Sequence, residues 1–134
     1  MERGSPNDKM VVVIDDDAMV LEAMSGLLRG WGFQVVAATS DDLALDQLME
    51  IGRRPDLIIC DYRLSQGRIG VDAIDRVRRA FEIPAFVISA DAMAHARRPS
   101  GEQYRVLNKP VSPMALQAAV STALDVDSFS DDDE

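Results

Sequence analysis

Cysteine and histidine each occur once in the 134 residues, and each scarcity closes a route. Cys60 has no partner for an internal disulfide, which fits a reducing compartment and an inert core thiol. His95 lies alone in the polar stretch 91–103, so a Ser-His-Asp nucleophile has no setting. The glycine-rich phosphate cradles GxxxxGKS/T and GxGxxG are both missing, which argues against a nucleotide site. No apolar run nears the roughly 20 residues a membrane span needs. The opening MERGSPNDK lacks an apolar signal core, so the expectation is a cytoplasmic domain with no membrane contact. There is also no basic stripe, and direct contact with nucleic acid is not expected.

What the chain has is acid and a core. Its formal charge is −9, and the last ten residues, DVDSFSDDDE, hold six acids and no base. Residues 125–134 therefore read as a disordered acidic tail and 1–8 as a flexible lead-in. Residues 9–124 read as one domain, and a hydrophobic content of 47% is enough for a single core.

Apolar strands alternate with amphipathic helices. Strands are predicted at 10–14, 33–38, 56–61, 83–91 and 105–110. The first helix has Val20, Met24, Leu27, Leu28 and Trp31 at helical spacing and ends near Gly30 and Gly32. The second starts at Ser40 or Asp41 as N-cap and turns Leu45, Leu48 and Met49 inward. A third over 71–81 carries Ile74, Val77 and Phe81 on one side, and a fourth over 112–124 turns Leu116, Val120 and Leu124 inward. Strands apolar throughout imply a parallel sheet covered on both faces. With right-handed crossovers this gives an α/β, three-layer, doubly wound domain with five parallel strands.

In such sheets a site forms beyond the carboxyl ends of the strands. The first strand ends on Asp15 and Asp16, the third on Asp61 and the fourth on Ser89, while the fifth leads to Lys109. Three carboxylates on one rim repel unless a hard cation joins them, and oxygen-only donors favour Mg²⁺, or Mn²⁺ in its place. Such a cation with an ammonium and a hydroxyl suits a phosphoryl group. Blander roles compete for each residue: Asp16 and Asp17 as helix caps, Asp61 in an Asx-turn, Ser89 in a turn, Lys109 as a solvated charge.

The pieces VVVIDDD, PDLIICDYRL, GVDAI, FVISA and NKPVSPMAL resemble, in order and spacing, the receiver domain of two-component response regulators. The resemblance covers about residues 9–124 and is greatest to receivers at the C-terminus of hybrid sensor histidine kinases. It implies the flavodoxin-like strand order 2-1-3-4-5. It further implies that Asp61 accepts a phosphoryl group from a phosphohistidine, the partner being a histidine kinase or a histidine phosphotransfer protein. Asp16, Asp61 and the backbone carbonyl of Arg63 would hold Mg²⁺, with Asp15 acting through water. Ser89 and Lys109 would bind the phosphoryl oxygens, and the bond to Pro110 would be cis. Such a domain phosphorylates itself, is not a turnover enzyme, and can pair through the face of its fourth and fifth units. If it is excised from a hybrid protein, the parent chain would be a histidine kinase. The alternative is a degenerate receiver that binds partners without phosphorylation. A phosphatase with an aspartyl nucleophile would want an acid where Arg63 stands.

Two departures qualify the resemblance. Val106 occupies the switch position, where receivers carry Tyr or Phe, and Tyr104 lies two residues earlier. The loop YRLSQGRIG is one residue longer than usual and lacks the usual proline. Arg63 and Asp91 follow Asp61 and Ser89 by two residues each, and the expectation is a pair across the pocket rim that gates the attacking water. Phosphoryl half-lives, followed by loss of label, should then shorten in both Arg63→Ala and Asp91→Ala; unchanged half-lives discard the pair.

Overall fold

A computed structural model describes residues 9–90 and 104–124. The lead-in 1–8, the tail 125–134 and the stretch 91–103 that holds Asp91 and His95 lie outside the described residues. Strands β1 (Met10–Ile14), β2 (Gln34–Ala38), β3 (Leu57–Asp61), β4 (Ala85–Ser89) and β5 (Arg105–Asn108) form one parallel sheet in the order β2-β1-β3-β4-β5. The helices among the described residues are α1 (Ala18–Gly30), α2 (Asp41–Ile51), α3 (Gly70–Ala80) and α4 (Pro113–Leu124). This is the expected doubly wound architecture. β1 has the predicted bounds and the other four strands are shorter than predicted; β4 begins only after Pro84, which has no N–H to give a ladder.

Period-two alternation sorts the strand side chains between two cores. Met10, Val12 and Ile14 pack with α2 and α3, against Leu48, Ile74 and Val77. Val11 and Val13 pack with α1 and α4, against Leu28, Leu116 and Val120. All five residues of β1 are buried, because that strand lies inside the sheet with helices over both faces.

Local signals start the helices. The Asp17 carboxylate accepts from the N–H groups of Met19 and Val20 at 2.9 and 3.3 Å, so this acid caps α1. Ser40, not Asp41, caps α2, its hydroxyl accepting from Leu43 N at 3.2 Å. Asp41 is fully buried one residue into the helix and pairs with Arg68 at 2.6 Å and Arg76 at 3.2 Å.

One inward assignment is corrected. Met49 is 79% exposed, whereas Ala44 and Leu48 are buried and Leu45 is half-buried. Residues 44, 45 and 48 lie on one face at spacings of one, three and four, and position 49 falls past its edge. In α1, Met24 and Leu28 are buried as expected, Leu21 joins them, and Val20, Leu27 and Trp31 line the margin of that core. Leu48→Ala should cost about 2–5 kcal/mol in urea unfolding, and Met49→Ala less than about 0.5 kcal/mol. Equal costs would contradict this orientation of α2.

Candidate functional site

The carboxyl rim is assembled by backbone ladders that continue past the strands. Asp15 N donates to Ala38 O at 3.2 Å, Tyr62 N to Ile88 O at 2.7 Å and Lys109 N to Ser89 O at 2.8 Å. The residues just after β1, β3 and β5 are thereby fixed to the ends of their neighbours, β2 for the first and β4 for the other two. Ligand oxygens of Asp15, Asp16 and Asp61 all lie within 4.8 Å of one another. The Lys109 ammonium stands 3.3 Å from Asp61 Oδ2 and 3.7 Å from Asp15 Oδ2. Ser89, buried at the end of β4, lines a pocket with Asp61, Tyr62, Arg63 and Lys109. The peptide bond from Lys109 to Pro110 is cis, as expected.

Burial and charge make this rim uncomfortable when ionised. Desolvation raises the Asp15 carboxyl above its ordinary 3.8; the Asp17 N–H, donating at 2.9 Å, opposes this, and the Asp61 charge adds to it. Asp61 is raised chiefly by burial, opposed by the Lys109 ammonium and reinforced by Asp16. Three carboxylates against one ammonium leave two negative charges. All donors are hard oxygens. The set therefore fits a small divalent cation such as Mg²⁺, which prefers one or two carboxylates with water completing its shell.

Packing also fixes where Asp61 stands. A Cβ added at Gly70 would overlap the Asp61 carbonyl oxygen and come within 3.2 Å of Cys60 Sγ. Glycine is the residue that lets α3 begin this close, with Gly70 N donating to Tyr62 O at 2.6 Å. Cys60 itself is buried and its thiol is pushed well above the usual range, so it stays protonated and unreactive.

The loop after Asp61 folds as a small closed unit. Arg63 and Ile69 form an isolated antiparallel bridge, Leu64 N donates to Arg68 O at 2.9 Å, and Ser65–Gly67 make a 3₁₀ turn. Gln66 and Gly67 both have positive φ, 64° and 74°. At its tip the Ser65 hydroxyl donates to Asp16 Oδ2 at 2.7 Å. Nothing local in the sequence marks Ser65, whose partner is 49 residues away. The Arg63 guanidinium lies 5.6 Å from the Tyr62 ring centre; its expected pairing with Asp91 falls outside the described residues. Val106 is half-buried against the α2–α3 core, and Tyr104 is buried on the same face. The Tyr104 hydroxyl donates to Asp75 Oδ1 at 2.7 Å and accepts from Arg78 at 3.1 Å, which fastens it to α3.

Comparison with known proteins agrees with this fold. The phyllosphere-induced regulator PhyR of Methylorubrum extorquens is 27% identical over 116 residues, 85% of this chain and 43% of that protein. The transcriptional regulatory protein ZraR of Escherichia coli O157:H7 is 30% identical over 119 residues, 85% of this chain and 26% of the relative. The chain thus spans less than half the length of both. A response regulator receiver protein from Burkholderia phymatum superposes with a TM-score of 0.74 at 28% identity, covering 90% of this chain and 98% of that one.

The raised carboxyls have a consequence for stability. A carboxyl whose folded pKa exceeds its unfolded value binds more protons when folded, so its contribution falls as pH rises through 3.8 towards the folded value. Metal-free Asp15→Asn, which keeps an acceptor for Asp17 N–H, should melt higher than the parent at pH 7. Below the ordinary 3.8 the difference should vanish. A less stable variant at pH 7 would show that the acid is not strained.

The family model for the response regulator receiver domain matches residues 11–121, and with the strand order and the rim as described, this chain belongs to that family.

Proposed function

We propose that this domain accepts a phosphoryl group on Asp61 from a phosphohistidine and passes the change to a binding partner. The observation that carries the reading is the meeting of Asp15, Asp16, Asp61, Ser89 and Lys109 on one rim. An Asp61 oxygen attacks phosphorus while the P–N bond breaks and its electron pair returns to the imidazole. Lys109 pairs with the phosphoryl oxygens, and Ser89 hydrogen-bonds them once they arrive. Asp16, Asp61 and the Arg63 carbonyl would hold Mg²⁺, with Asp15 acting through water. When bound, the ion offsets the charge of the acids and of the phosphoryl oxygens.

The donor reaches Asp61 over an apolar groove. A cavity of about 500 Å³ between α1 and α4 is lined by Val20, Met24, Leu27, Pro110, Val111 and Leu116. Lys109 and Ala90 border both this groove and the acidic pocket, and Met19 and Met114 are exposed on the same two helices. A helical histidine-bearing phosphodonor that lays apolar side chains here would bring its imidazole to Asp61. The domain phosphorylates itself and is not a turnover enzyme; it works in the cytoplasm without touching DNA or membrane. No helix among the described residues is long and apolar enough to cross a membrane.

Phosphorylation adds a charge of about −1.5 to −2 at the rim, which shifts the population of a partner-binding surface. Pairing of two copies through the fourth and fifth units involves residues 91–103, outside the described set. Val106 in place of the switch aromatic favours a second reading, an interaction module that needs no phosphate, and one experiment separates the two. Acetyl phosphate with Mg²⁺ should add about 80 Da to the chain, and the gain should disappear with Asp61→Ala or excess EDTA. An Asp61→Ala chain that still gains the mass, or a parent chain that gains none, overturns phosphorylation at Asp61.

A further inference from the structure

Asp16 differs from the other two acids in how it is held. Asp15 is buried and tied to the Asp17 N–H and Lys109, and Asp61 is tied to Lys109. Asp16 is exposed. Among the described residues the polar contact of its carboxylate is the Ser65 hydroxyl, on Oδ2 at 2.7 Å. Without that contact the side chain would sample several rotamers in water, and a cation that used it would have to order it first.

We infer that Ser65 is a positioning residue for Asp16: its hydroxyl holds the carboxylate through Oδ2, in a position where an Asp16 oxygen lies within 4.8 Å of oxygens of Asp15 and Asp61. This rests on the metal reading above and adds a residue to it. An outer partner of this kind fixes the orientation of a ligating carboxylate and raises affinity without touching the ion.

The loop that carries Ser65 is built to hold it. The Arg63–Ile69 bridge and the Leu64–Arg68 hydrogen bond close its base, and Arg68 N donates to Ser65 O at 3.3 Å. The Arg68 guanidinium reaches the buried Asp41 at 2.6 Å, pinning the loop to the start of α2. Gln66, a non-glycine residue at φ 64°, accepts a left-handed conformation in that turn. The closed loop thus holds its tip against Asp16, 49 positions earlier in the chain.

Titration calorimetry with MgCl₂ tests the assignment. Ser65→Ala should weaken Mg²⁺ binding about fivefold, as expected for one lost hydrogen bond to a charged group at an exposed site. Ser65→Thr, which keeps the hydroxyl, should restore it. The metal-free melting temperature of Ser65→Ala should stay within about 2 °C of the parent, which separates positioning from a general role in folding. If the parent binds Mg²⁺ and Ser65→Ala binds it equally well, or Ser65→Thr is as weak as Ser65→Ala, the role of Ser65 is overturned while the metal site stands. A parent that gives no saturable heat overturns the metal reading itself.

Discussion

Repulsion among Asp15, Asp16 and Asp61 is the constraint around which the rest of the domain is arranged. Their ligand oxygens share a space 4.8 Å across, and burial withholds from two of them the water that would screen their charge. Lys109 answers part of it, from 3.3 and 3.7 Å. The remainder makes the rim a place where positive charge is favoured. A site of this kind is costly to a fold, and here two apolar cores hold it together.

The stiffness of the sheet is what lets such a cluster persist. β1 and β3 lie inside the sheet, packed on both faces, so the residues at their ends cannot swing apart without breaking ladder bonds. Gly70 removes the last freedom, because α3 starts in contact with the Asp61 backbone. Beside this frame, the closed loop 63–69 touches the exposed Asp16 through the Ser65 hydroxyl. A shared frame carrying a loop of its own is how one fold acquires individual chemistry.

Edge strand β5 and the residue before it pack on the α2–α3 core. Val106 fills a half-buried site on the α2–α3 side, too small to act as a swinging ring. The aromatic residue of this edge is Tyr104, and its hydroxyl is held by Asp75 and Arg78 on α3. Edge and third helix are therefore joined by polar contacts rather than by a mobile ring in the sheet.

Much of this was legible in the sequence because it depends on local periodicity. Runs such as MVVVI and LIICD are too apolar to be anything but doubly covered strands, and their alternation with amphipathic helices leaves a parallel sheet as the consistent answer. The position of a residue relative to a strand end was enough to gather Asp15, Asp16, Asp61, Ser89 and Lys109, since parallel strands all finish on one side. Three things were not legible. Met49 was assigned to the core, but only the packed orientation of α2 shows that its face ends at Leu48. Asp41 was read as a possible cap, whereas tertiary contact buries it between Arg68 and Arg76. Ser65 was invisible, because a hydroxyl in a polar loop carries no sign of which distant acid it will meet. Periodicity is a property of neighbours in the chain and determined the layers and the rim. The partners of individual polar side chains are set by where loops close in space, which only the tertiary structure decides.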